Sequence, residues 1–82
     1  AEAEPVFRLF FDAVGLAMHD PDALGEVVRG LVTAWAASLE PLFEGTRAVR
    51  RARAEATVAL LDGLLLLRFT AGPEASSRAA RA

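Results

Sequence analysis

Three places in this 82-residue chain hold residue types that do chemistry. His19, the one histidine, is followed closely by Asp20 and Asp22, a set that would suit a metal ion. Capping accounts for all three without a metal. A cation is favoured at the end of one helix, Asp20 is a good N-cap for the next, and Asp22 adds negative charge to its first turn. Asp62 stands alone within Val58–Leu67, where a carboxylate is costly unless it is paired or hydrogen-bonded. It is expected to face a helix end, a hydroxyl or an arginine across an interface, with the orienting of a polar ligand as the functional alternative. Arg47, Arg50, Arg51 and Arg53 place four arginines in seven residues, which suits phosphate. They lack interleaved aromatics, so a solvated helix start or an acidic neighbour is favoured. Arg51 and Glu55 are spaced for an ordinary i,i+4 pair. Ser38, Ser76 and Ser77 have no nucleophile context, so no catalytic residue, cofactor or metal is expected.

These residues are spread over three helical segments, predicted at about 5–19, 21–43 and 47–70. In the first, Arg8, Asp12, Gly15 and His19 form one narrow polar stripe, and the rest is apolar, so cover on several sides is expected. In the second, Pro21 follows the Asp20 cap, and Leu24, Val28, Leu31, Trp35, Leu39 and Leu42 make an apolar stripe at helical spacing. Pro41 should kink or end this helix, and Gly45 closes the segment. The third opens with Thr46 as a candidate cap and ends at Gly72 and Pro73. The last ten residues begin a short fourth helix or form a tail, since that length is marginal without packing. The fold class is all-α in a single domain, with the helices packed as part of a bundle.

Composition sets the limits. The chain is 54% hydrophobic with a net charge of −2, which excludes disorder and disfavours a general nucleic-acid binder. Cysteine is absent, so disulfides and thiolate sites are excluded. Apolar runs are too short to span a bilayer, and the acidic start Ala1-Glu2-Ala3-Glu4 does not look like a signal peptide. Without an initiator Met, a trimmed or partial chain is expected. Three short helices cannot hide this much apolar surface from water, so a partner surface is expected.

Two surfaces follow. The aromatics are the natural lining of an apolar pocket between the first two helices and the third, with Phe7, Phe11, Met18, Trp35, Leu39 and Leu61 as candidate ligand-binding residues and plain core packing as the competing account. Ala52, Ala56, Ala59, Gly63 and Leu67 lie along one line of the third helix, where small residues admit a close second helix. Ala56, Ala59, Gly63, Leu66 and Leu67 are the candidate dimer interface.

The order of elements resembles the C-terminal regulatory domain of TetR-family transcriptional regulators. The resemblance rests on Phe10-Phe11-Asp12-Ala13 leading to His19-Asp20-Pro21, on the helix from Leu24 to Leu39 followed by Glu40-Pro41-Leu42-Phe43, and on Arg53-Ala54-Glu55-Ala56-Thr57-Val58-Ala59-Leu60-Leu61-Asp62-Gly63-Leu64-Leu65-Leu66. It implies an effector-binding and dimerisation domain of a cytoplasmic repressor. An apolar small molecule would bind in its pocket, a homodimer would form through its last helices, and DNA would be contacted only through an N-terminal domain absent from these residues. The alternative is a ligand-free helical interaction module of a larger assembly.

Overall fold

A computed structural model describes residues 4–82. The acidic start falls outside them except for Glu4, which opens the first helix. Every regular element is helical: α1 (Glu4–His19), α2 (Pro21–Leu39), a single 3₁₀ turn (Glu40–Leu42), α3 (Arg47–Ala71) and α4 (Pro73–Arg81). The fold is all-α. The chain divides into two compact units, Ala1–Trp35 and Ala36–Ala82.

In the first unit, α1 and α2 are separated by Asp20 alone. The Asp20 N–H donates to the Leu16 carbonyl and the Ala23 N–H donates to the Asp20 carbonyl, so one residue both ends a helix and starts another. The apolar α1 is less covered than its composition implies. It has no buried residue, and Val6, Leu9, Leu16 and Met18 are all exposed.

In the second unit, the proline acts as its chemistry requires. Pro41 has no N–H to donate to an α-helical ladder, and α2 ends at Leu39. The chain tightens into the 3₁₀ turn, closed by the Phe43 N–H on the Glu40 carbonyl, so the expected helix to 43 is α-helical only to Leu39. Gly45 takes φ +115°, a region open to glycine at little cost. Thr46 then caps α3, its Oγ1 accepting from the Val49 N–H at 3.2 Å.

The far end of α3 stops at Gly72, φ +100°, whose N–H donates to the Arg68 carbonyl at 3.1 Å. Pro73 starts α4, which turns back and packs on α3. Nine residues make a helix here because α3 supplies the packing that an isolated segment lacks. Ser76 Oγ reinforces the junction by donating to the Leu64 carbonyl at 2.9 Å.

The core is slight. Among the described residues Ala36, Ala54 and Val58 are the buried hydrophobic ones, and no large side chain of theirs is fully enclosed. Leu42, Val49, Leu60, Leu61 and Leu66 of the second unit remain exposed.

Candidate functional site

An apolar groove of about 640 Å³ lies in the first unit. Val6, Leu9, Phe10 and Ala13 line it from α1, at i, i+3, i+4 and i+7, which is one face of a helix. Phe7 adds the edge of that face. Leu31 and Trp35, one turn apart, line it from α2. Phe10 pairs edge-to-face with Phe11, ring centroids 5.6 Å apart at 64°.

All seven lining residues are hydrocarbon or aromatic. Such a wall offers no charged group to hold an anion or a metal ion and no group to activate a nucleophile. It can take an apolar surface out of water, at about 25 cal/mol for each Å² buried.

Of the candidate ligand residues, Phe7 and Trp35 face the groove. Phe11 stands beside it as the partner of Phe10. Met18, near the end of α1, is 78% exposed and is not among the lining residues. Leu39 and Leu61 belong to the second unit. Val6, Leu9, Phe10, Ala13 and Leu31 complete the groove. Leu31 lies on the apolar stripe that the spacing of α2 marks out, whereas α1 is apolar on most sides and its spacing does not single out the lining face.

The candidate dimer residues lie on an open face of α3. Ala56, Ala59 and Gly63 are exposed, Leu66 is 51% exposed, and Leu67 is half-buried. A Cβ placed on Gly63 would meet nothing within 4 Å.

The polar candidates have fewer partners than expected. Asp62 is half-buried and its Oδ1 is shut off from solvent with no hydrogen-bond partner. Burial pushes its carboxyl pKa up. Arg51 and Glu55, both exposed, do not form the expected pair, in keeping with the small gain such a surface contact offers. His19, Asp20 and Asp22 are all exposed. Among the described residues no group of three or more His, Cys, Asp or Glu is placed to hold a metal ion. Nor is any helix among them long and apolar enough to cross a membrane.

No protein-family model, curated protein or solved structure matches the chain.

Proposed function

We propose that the chain is the effector-binding and dimerisation part of a TetR-type transcriptional repressor. The apolar groove of the first unit carries this reading. Its volume suits a small molecule, and its apolar wall of aliphatic and aromatic side chains suits an uncharged hydrophobic one. Binding there would favour one setting of α1 against α2, and a DNA-reading domain outside these residues would report the shift. The open face of α3 at Ala56, Ala59 and Gly63 supports a homodimer contact. The role is regulatory rather than catalytic, it needs no cofactor, and its place is the cytoplasm.

Trp35 is a built-in reporter, since it lines the groove. Titration with uncharged hydrophobic compounds is expected to change its fluorescence saturably, and Ala13→Phe, which fills the groove, is expected to abolish the change. If no compound class alters the emission while the helices stay folded, the effector reading fails.

A ligand-free interaction module is the second reading. The exposure of the groove walls favours it, with Val6 67% and Leu9 69% exposed, as a docking partner helix would require. Emission that changes on concentrating the protein alone, and with no compound, selects this reading.

A further inference from the structure

The first two turns of α3 gather positive charge that the described residues do not neutralise. Arg47, Arg50, Arg51 and Arg53 lie in a stretch with no carboxylate between Glu44 and Glu55. Arg47, Arg50 and Arg51 share one face by steps of three and four, and that face continues inward through buried Ala54 and Val58. Arg47 and Arg51 are exposed, while Arg50 is half-buried. The Nε of Arg50 is shut off from solvent and has no hydrogen-bond acceptor. The side chains of Arg47, Arg51 and Arg53 make no hydrogen bond or ion pair with the described residues.

This arrangement works against the helix that carries it. Like charges three and four residues apart repel. Cations at a helix start oppose the macrodipole. A buried guanidinium N–H without an acceptor has lost water and gained nothing. Overall charge does not explain the cluster either. The second unit holds seven arginines and five carboxylates, the first two arginines and six carboxylates. All three costs fall away when an anion sits on the face.

We propose that Arg47, Arg50 and Arg51 bind a phosphate group, the Arg50 guanidinium turning outward from its covered position so that a phosphate oxygen accepts its unused Nε–H. Three guanidinium forks on one face carry more donors than the two oxygens of a carboxylate accept, and a tetrahedral phosphate matches them better. The proposal is independent of the groove in the first unit.

The test follows the arginine Nε–Hε signals by NMR in the intact chain. Separate arms add inorganic phosphate, a small phosphomonoester, a short DNA duplex, and sodium chloride at matched ionic strength. Inorganic phosphate is expected to shift the Arg50 signal saturably where sodium chloride does not. Arg47→Ala and Arg51→Ala are each expected to weaken binding about tenfold. Arg50→Lys keeps the charge but loses the fork, and is expected to weaken it similarly. Circular dichroism checks that each variant keeps its helices. Preference for the phosphomonoester makes a free phosphorylated molecule the source of the group. Tighter, steeply salt-dependent binding of the duplex makes it a nucleic-acid backbone. Either outcome upholds the phosphate site. It is overturned if phosphate leaves the Arg50 signal unmoved, or if the shift survives in an Arg47→Ala/Arg51→Ala double variant.

Discussion

Ser76 reaches across to Leu64, its Oγ donating to the Leu64 carbonyl at 2.9 Å over a separation of twelve residues. That carbonyl lies inside α3, so the bond is additional to the helix's own ladder and ties α4 to the helix it packs on. Ser76→Ala removes it. The expected loss is about 1 kcal/mol, seen chiefly as faster amide exchange in α4, with α3 little changed.

Gly72 makes the reversal between α3 and α4 possible. Its φ of +100° with ψ of 165° is a conformation that side-chain-bearing residues rarely adopt. Gly72→Ala is expected to cost about 1–3 kcal/mol. A thermal melt gives the loss, and reduced helicity confined to Pro73–Arg81 identifies its place.

Asp62 gives the stability a pH dependence of known sign. Burial raises its carboxyl pKa in the folded chain, so the folded state holds the proton to higher pH than the unfolded state does. The contribution is present below the unfolded value and is lost as pH rises through the folded one. Asp62→Asn is therefore expected to be more stable than the parent at neutral pH, by less than about 1 kcal/mol because the carboxyl is only partly covered. Below the ordinary carboxylate range the two should melt alike. Melts of both chains across acidic and neutral pH check this.

Much of the backbone was legible before any coordinates. Thr46, Pro41 and Gly72 each do what their covalent chemistry compels, and they place the start of α3, the end of α2 and the end of α3. Nearest-neighbour chemistry decides such sites, so a sequence reveals them. The groove was legible only in part. Trp35 stood out on the one-sided stripe of α2. On α1, apolar on nearly every side, periodicity could not choose a face, so Val6, Leu9 and Ala13 went unselected and Phe10 entered only as one of the aromatics. The isolation of Asp62 among leucines was equally plain. That its Oδ1 would have no partner depends on side-chain positions distant in sequence.

Gly63 offers a clean test of the α3 face. A Cβ there meets nothing within 4 Å, so the folded chain has room at this position and Gly63→Leu obstructs a helix approaching from outside. The variant is expected to dimerise at least about tenfold more weakly, with a monomer melt no lower than the parent's, since leucine suits a helix interior better than glycine. Equal dimerisation by variant and parent would place the contact on another face.

Beneath these predictions lies a mismatch of areas. Among the described residues two alanines and a valine are buried, while six leucines, Met18 and three valines stand more than two-fifths exposed. So much uncovered apolar surface calls for a covering partner, and the proposed one is a second copy of the chain. Sedimentation equilibrium over a range of concentrations measures this directly. A reversible monomer–dimer equilibrium, with melting temperature rising with concentration, is the predicted result. A particle that stays at 8.7 kDa at every concentration, cooperatively folded and binding no hydrophobic dye, would contradict it.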